Sequence, residues 1–116
     1  MLVMFMKTAL IVSKTETSIK AIAQLLSSEN YEDIDCTIST EDAKDKISRK
    51  VYDLIIVNTP LEEENGIDFS VYCAANTKAC VILMVQQEKA MEVADMVSPY
   101  GILVIQKPVN KHMFHH

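Results

Sequence analysis

The chain alternates short apolar runs with segments whose apolar residues recur at helical spacing. The apolar runs are bounded by polar residues and occupy positions 7–13, 53–58, 80–85 and 102–105. Such runs are typical of strands that are buried on both faces of a sheet. Most of the segments between them, such as residues 19–26, have the spacing of an amphipathic helix. The alternation predicts an open parallel sheet with helices on both faces, because parallel neighbours need crossover connections.

Polar residues mark the expected ends of these elements. Residues 13–16 read Ser-Lys-Thr-Glu, which fits a capping box with Ser13 as the N-cap of the first helix. Alternating polar and apolar residues over 31–39 predict an edge strand that is covered on one side only. Ser39 offers a cap for a short second helix. Further helices are predicted over residues 69–74 and 88–97.

Composition and charge limit the classes of function. With 116 residues, of which 49% are hydrophobic and 23% charged, the chain is predicted to form one domain over residues 7–116, after an N-terminal extension of residues 1–6. A net charge of -5 gives no general attraction for nucleic acid or anionic lipid. No apolar run is long enough for a transmembrane span. Three cysteines without a C-x-x-C pair argue against a disulfide framework or a zinc site and favour the reducing cytoplasm.

Candidate functional residues lie where the predicted strands end. In open parallel sheets, ligand chemistry takes place beyond the carboxyl ends of the strands, near the switch point in strand order. In this chain those positions are Ser13-Lys14, Asn58-Thr59, Val85-Gln86 and Lys107-Pro108.

These segments together resemble the response-regulator receiver (CheY-like) domains of bacterial two-component signalling. The resemblance is carried by Ala-Leu-Ile-Val-Ser-Lys at 9–14, Asp-Leu-Ile-Ile-Val-Asn at 53–58 with Pro60 and Gly66 after it, residues 80–85, and Lys-Pro-Val at 107–109. It implies a flavodoxin-like (βα)5 doubly wound sheet of strand order 2-1-3-4-5. The fifth helix is expected to be truncated, because only residues 111–116 follow its N-cap candidate Asn110.

The resemblance also assigns roles to the strand-end residues. In that family an acidic pair ends strand one, an aspartate ending strand three accepts the phosphoryl group, a Ser or Thr ends strand four, and a Lys precedes a Pro after strand five. Matched residue by residue, the acidic pair falls on Ser13 and Lys14, the phosphoacceptor on Asn58, the hydroxyl on Val85 or Gln86, and the lysine on Lys107. Only the lysine is retained.

These departures imply a degenerate receiver, or pseudo-receiver. An amide is no substitute for the carboxylate nucleophile, and Mg²⁺ prefers carboxylate ligands. The aromatic residue of the family's conformational relay, three positions before the lysine, is Val104 here. We therefore expect no phosphoryl transfer, no metal or other cofactor and no enzymatic activity. The favoured function is a phosphorylation-independent interaction or dimerisation module, whose partner is a protein or a second copy of the chain.

A looser resemblance concerns the output of the domain. The loop 58–66 and the tail from Lys107 are similar to receivers attached to ANTAR-type RNA-binding antiterminator domains. This implies transcription regulation in the cytoplasm, with RNA contacted only through a missing carboxyl-terminal domain, and no membrane partner. The incomplete fifth helix further predicts that the chain is a fragment, and that an apolar surface of Ile102, Val104 and the fourth helix is partly uncovered.

Alternative functions and roles stay open. Lys14, Lys107 and the amino end of the first helix provide the charges for a site that binds a small anionic metabolite. A conventional phosphorylatable receiver with displaced ligands is another possibility. Lys107 either contacts an anion or pairs with an acid such as Asp53 or Glu62, and the second interpretation is favoured. Asn58 either mimics one signalling state or is a tolerated polar residue.

Three other groups of residues are assigned no function. His112, His115 and His116 have the spacing of a helical metal site but lie at the chain end, where helices fray. The acidic run 62–64 is expected to be solvated loop surface. The cysteines are expected to be small buried hydrophobes.

Overall fold

The computed structural model describes residues 7–61 and 64–107. In chain order, the elements are β1 (Lys7–Val12), α1 (Glu16–Ser28), β2 (Tyr31–Thr37), α2 (Thr40–Arg49), β3 (Leu54–Asn58), α3 (Gly66–Asn76), β4 (Cys80–Gln86), α4 (Ala90–Val97) and β5 (Leu103–Lys107). The five strands form one sheet of order β2-β1-β3-β4-β5, and every neighbouring pair is parallel. The predicted strand order and the edge position of β2 are confirmed.

The core consists of two apolar layers on opposite faces of the sheet. On one face, alternate residues of the central strands pack with Ala43 of α2, Phe69 and Cys73 of α3, and Val93 and Val97 of α4. On the other face, the intervening strand residues pack against α1. All five residues of β3 are buried, which is why this strand reads as an uninterrupted apolar run. Each fully buried apolar side chain contributes roughly 1.5–3 kcal/mol to folding.

The cap of α1 corrects the prediction made for Ser13. The N-cap is Thr15, whose Oγ1 accepts a hydrogen bond from the Ser18 backbone N–H at 3.3 Å. Ser13 instead continues the direction of β1, and its N–H donates to the Thr37 carbonyl of β2 at 3.2 Å. The sequence contains capping residues at both positions, and the pairing with β2 decides between them. Ser39 caps α2 as predicted, through Asp42 N–H at 3.2 Å.

Several other details differ from the expectations. Cys36 and Cys80 are exposed, and only Cys73 is buried. Ile102 is 5% exposed and therefore belongs to the core, not to an uncovered surface. Strand β5 begins at Leu103 and extends to Lys107, and a 3-10 turn over Gln87–Lys89 precedes α4.

The N-terminal extension, the fifth helix and the three histidines lie outside the described residues. Within residues 7–61 and 64–107, no helix is long and apolar enough to cross a membrane.

Candidate functional site

Ser13 and Asn58 meet at the carboxyl ends of β1 and β3, which are neighbours in the sheet. Asn58 Nδ2 donates a hydrogen bond to Ser13 Oγ at 2.9 Å. Asn58 is only 7% exposed and Ser13 only 1%. Asn58 Oδ1 is also buried, and no donor among the described residues reaches it. An acceptor in this state costs folding free energy, because it has lost its water without gaining a partner.

Thr59, the residue after Asn58, links three strands and a helix. Its backbone N–H and its Oγ1 both donate to the Met84 carbonyl of β4, at 3.1 Å and 2.6 Å. Its own carbonyl accepts a hydrogen bond from Lys107 Nζ of β5. Its Cγ2 lies where a side chain on Gly66 would stand, 2.3 Å from an ideal Cβ. Sequence reasoning placed Thr59 at a strand end but missed these contacts, since all three hydrogen bonds use backbone carbonyls that no side-chain pattern encodes.

Lys107 is partly buried beside this loop and has a perturbed pKa. Burial lowers the pKa of the Lys107 ammonium, and the like charge of Lys14 lowers that pKa further. The partner of Lys107 is the Thr59 carbonyl, so pairing with Asp53 is excluded. Asp53 lies at the opposite end of the sheet, where its Oδ2 accepts from the Thr8 backbone N–H at 2.8 Å. Glu62 lies outside the described residues.

The register of the sheet places Val85 and Gln86, the two residues matched to the family's hydroxyl position, on opposite faces. Asn58 lies opposite Met84, and Gln86 lies opposite Lys107. Val85 is buried in the layer that contains α3 and α4. Because successive side chains alternate between faces, Gln86 shares the face of Met84 and Val85 does not. Gln86 is exposed.

Val104 packs against the layer that contains α3 and α4, on the edge strand β5. It also lines an open groove of about 440 Å³ between α4 and β5, whose lining is mostly apolar. The other lining residues are Ala90, Met91, Ala94, Ile105 and Gln106.

The acidic loop before α3 is partly engaged in ion pairing. Glu64 Oε2 lies 3.1 Å from Lys44 Nζ, and the same ammonium lies 4.8 Å from the centre of the Tyr72 ring. Glu64 therefore ties the loop to α2 and is not merely solvated surface. The other two glutamates of the run lie outside the described residues.

The sequence of the chain matches a known family over most of its length. A family model described as the response regulator receiver domain matches residues 9–116. The chain belongs to this family. No curated protein matches the chain in sequence.

Solved receiver structures have the same fold. A CheY-like receiver domain protein from Methanospirillum hungatei JF-1 superposes with a TM-score of 0.82 at 19% identity, over 94% of this chain and 87% of that chain. For a CheY-like receiver domain from Methylobacillus flagellatus, the TM-score is 0.83 at 16% identity, over 96% and 94% of the two chains. The signal receiver domain of a putative Luxo repressor protein from Vibrio parahaemolyticus gives 0.82 at 22% identity, over 94% and 84%. At these identities the likeness shows the fold alone.

The strand ends of this receiver domain do not fit the Mg²⁺ ion that the family resemblance implies. A serine hydroxyl, an amide and two lysines stand at the positions matched to the family's site, and Mg²⁺ requires hard, anionic oxygen ligands. Among residues 7–61 and 64–107, no group of three His, Cys, Asp or Glu side chains is placed to hold a metal ion.

Proposed function

We propose that this receiver domain is a phosphorylation-independent interaction module in signalling, and that it is not an enzyme. The supporting observation is the hydrogen bond between Asn58 and Ser13, which joins two uncharged side chains at the positions matched to the phosphoacceptor and an acidic residue. An acyl phosphate forms by attack of a carboxylate oxygen, and the neutral amide of Asn58 is a poor nucleophile. The lysines 14 and 107 add repulsion against a divalent cation.

The residues matched to the conformational relay support the same proposal. The relay of the family needs a hydroxyl at the end of β4 and an aromatic side chain on β5. Here Val85 or Gln86 stands at the first position and Val104 at the second, and Val104 is partly buried against the core. The α4–β5 surface is therefore expected to keep one conformation whether or not a phosphoryl donor is present.

The groove between α4 and β5 is the surface that we assign to the interaction. Met91 is 85% exposed at its edge, and Ala90 and Ala94 leave space for the side chains of a partner. Exposed apolar surface of this kind marks interaction sites. We propose self-association through this groove as the first case to test.

The test combines intact mass with sedimentation. The chain is incubated with acetyl phosphate and Mg²⁺, and its mass and its sedimentation coefficient are compared with those of an untreated sample. We expect no added phosphoryl group and the same degree of self-association in both samples. Met91→Ser should weaken self-association, whereas Met96→Ser, a substitution of another exposed methionine of α4 that does not line the groove, should not. A phosphoryl adduct would contradict the proposal.

The proposed output is transcription regulation in the cytoplasm through an ANTAR-type RNA-binding domain. The support is the loose resemblance of residues 58–66 and of the tail from Lys107 to receivers of that kind. The reading frame beyond His116 provides the test. Continuation into a helix and a basic domain would support this output, and any other domain would contradict it.

A further inference from the structure

We infer that β5 pairs edge to edge with β5 of a second copy of the chain, so that two sheets of five strands each join into one continuous sheet. The inference rests on the proposed self-association through the groove between α4 and β5, and it names the main-chain contact that accompanies it. Self-association through side chains alone would leave the outer edge of β5 without a partner strand.

The two edge strands of the sheet differ in charge. β2, at one edge, carries three acidic residues, Glu32, Asp33 and Asp35. β5, at the other edge, reads Leu-Val-Ile-Gln-Lys, and its only charged residue is Lys107 at its end. Charged side chains on an edge strand oppose pairing with another chain, whereas an apolar edge favours it. β5 is therefore the edge that is open to a further strand.

The sequence of β5 is complementary to itself in an antiparallel pair. A two-fold axis through Ile105 places Leu103 opposite Lys107 of the second copy, and Val104 opposite Gln106. The members of each pair are an even number of positions apart, so they lie on the same face of the sheet, as opposite residues must. The lysine stem can cover Leu103, which is 56% exposed. No two like charges are opposite one another, and the two-fold symmetry closes at a dimer.

The position of α4 fits a dimer of this kind. Ala90, Met91 and Ala94 of α4 line the groove of about 440 Å³ that runs along β5. Because α4 packs on both β4 and β5, the two α4 helices of the dimer would lie about two strand spacings apart, or roughly 10 Å. Packed helices are separated by about 8–10 Å, depending on the side chains at the contact. Met91, which is 85% exposed, would be covered where the two helices meet.

Charge substitutions at Leu103 test the pairing and its register. Leu103→Lys places a second ammonium opposite Lys107 of the other copy, and Leu103→Glu places a carboxylate there. Like charges at opposite positions destabilise a strand pair, and unlike charges stabilise it. Sedimentation equilibrium should therefore give a dimer dissociation constant roughly tenfold higher for Leu103→Lys than for Leu103→Glu. The net charge of -5 predicts the reverse order, because an added lysine reduces the general repulsion between copies.

Met96 provides the matched control. It is an exposed residue of α4 that does not line the groove. Met96→Lys and Met96→Glu should therefore differ only through net charge, with the lysine variant forming the tighter dimer.

Amide hydrogen exchange of the unaltered chain gives an independent measurement. Exchange in the peptide that contains β5 should slow as the protein concentration rises, because strand pairing protects main-chain N–H groups that a side-chain contact leaves exposed. This measurement carries the test if the Leu103 variants do not fold.

Each outcome decides the inference. Concentration-dependent protection of β5, together with weaker association of Leu103→Lys than of Leu103→Glu, would support it. Self-association without protection of β5, an equal or reversed order of the two Leu103 variants, or a chain that stays monomeric would overturn it. A phosphoryl adduct formed with acetyl phosphate and Mg²⁺ would instead overturn the proposed function, so the two failures are distinguishable.

Discussion

Asn58 is the residue on which the proposed loss of phosphorylation depends most directly. We expect that Asn58→Asp alone will not restore phosphorylation. A single carboxylate at this position would pair with Lys14 or Lys107 and would leave no set of ligands for Mg²⁺. Intact mass after incubation with acetyl phosphate and Mg²⁺ measures the result.

A triple variant places a carboxylate at each of the three positions that match the acidic residues of the family. Ser13→Asp, Lys14→Asp and Asn58→Asp together should give Mg²⁺ binding that is detectable by titration calorimetry, before any phosphorylation is seen. Efficient phosphorylation of the single variant would show that the metal ligands lie elsewhere.

Tyr52 and Asp35 form a hydrogen-bonded pair whose contribution to stability is expected to depend on pH. The Tyr52 hydroxyl donates to Asp35 Oδ2 at 2.6 Å, and Lys50 Nζ lies 3.0 Å from the same oxygen. The Tyr52 hydrogen bond, followed by Lys50, lowers the pKa of the Asp35 carboxyl. A lowered folded-state pKa gives stability that is present above the ordinary pKa of about 4 and is lost as the pH falls through the lowered value.

Tyr52→Phe should therefore lower the free energy of unfolding at neutral pH. It should also make the free energy of unfolding depend less on pH in the acidic range. At neutral pH we expect a loss of about 1–2 kcal/mol in the free energy of unfolding, because the hydrogen bond to a charged acceptor is removed. The difference from the parent protein should shrink as the pH falls through the lowered pKa of Asp35, because the carboxyl group then becomes protonated. Urea unfolding over this pH range measures both effects.

Tyr72→Phe is the control for Tyr52→Phe. Tyr72 stacks near Phe69 with ring centres 6.3 Å apart, and its hydroxyl forms no hydrogen bond within the described residues. A pH-dependent loss in Tyr72→Phe equal to that in Tyr52→Phe would contradict the role of the hydroxyl.

Residue identity predicted which side chains stand at the strand ends, but not what they contact. The match of Asn58, Ser13 and Lys14 to one end of the sheet follows from periodicity and strand order. The partner of Lys107 does not, because it is the Thr59 carbonyl, and every residue has such a carbonyl. A side-chain acid was the only kind of partner that a sequence pattern was able to propose.

At the scale of elements, burial on both faces makes the strands easy to predict. β1, β3 and β4 read as apolar runs because helices cover both sides of them. The start of α1 was predicted wrongly for a reason that no local pattern contains. Ser13 fits a capping box, but its hydroxyl contacts Asn58, which is 45 positions away in the sequence.

The junction between β3 and α3 depends on the absence of a side chain at Gly66. An added Cβ would stand 2.3 Å from Thr59 Cγ2, and the hydrogen bond from Thr59 Oγ1 to Met84 limits how far this methyl group can move. We expect Gly66→Ala to lower the free energy of unfolding by about 1–3 kcal/mol, as for other overpacked sites. Urea unfolding measures this change.

Gly101 offers a matched comparison. It has a φ of 74° and no atom within 4 Å of an added Cβ. The positive φ, and not a steric clash, therefore limits which residues fit at this position. Asn tolerates left-handed φ values better than most residues, and Gly101→Asn should cost less than about 1 kcal/mol. If Gly66→Ala lowers the free energy of unfolding no more than Gly101→Asn does, the steric conflict between Thr59 and a side chain at position 66 would be contradicted.

At the scale of the whole molecule, charge decides the class of partner. The net charge is -5, and the basic residues of α2 are matched by acids. Affinity for nucleic acid requires unpaired Lys and Arg that replace counterions. We expect this chain alone to give no RNA binding below about 100 μM at physiological salt, measured by fluorescence anisotropy of a labelled hairpin. Micromolar binding that weakens steeply with salt would contradict this expectation.

The unequal exposure of the three thiols allows a distance across the sheet to be measured with labels on two of them. Cys36 and Cys80 are exposed and Cys73 is buried, and burial raises the pKa of the Cys73 thiol to about 12, so a thiol reagent modifies the first two selectively. The register connects Cys36 through Ile11 and Ile56 to Ile82, two residues beyond Cys80. Three strand spacings and two residue steps place their Cα atoms roughly 16 Å apart. A pair of spin labels on the unaltered sequence therefore reports whether a bound partner bends the sheet.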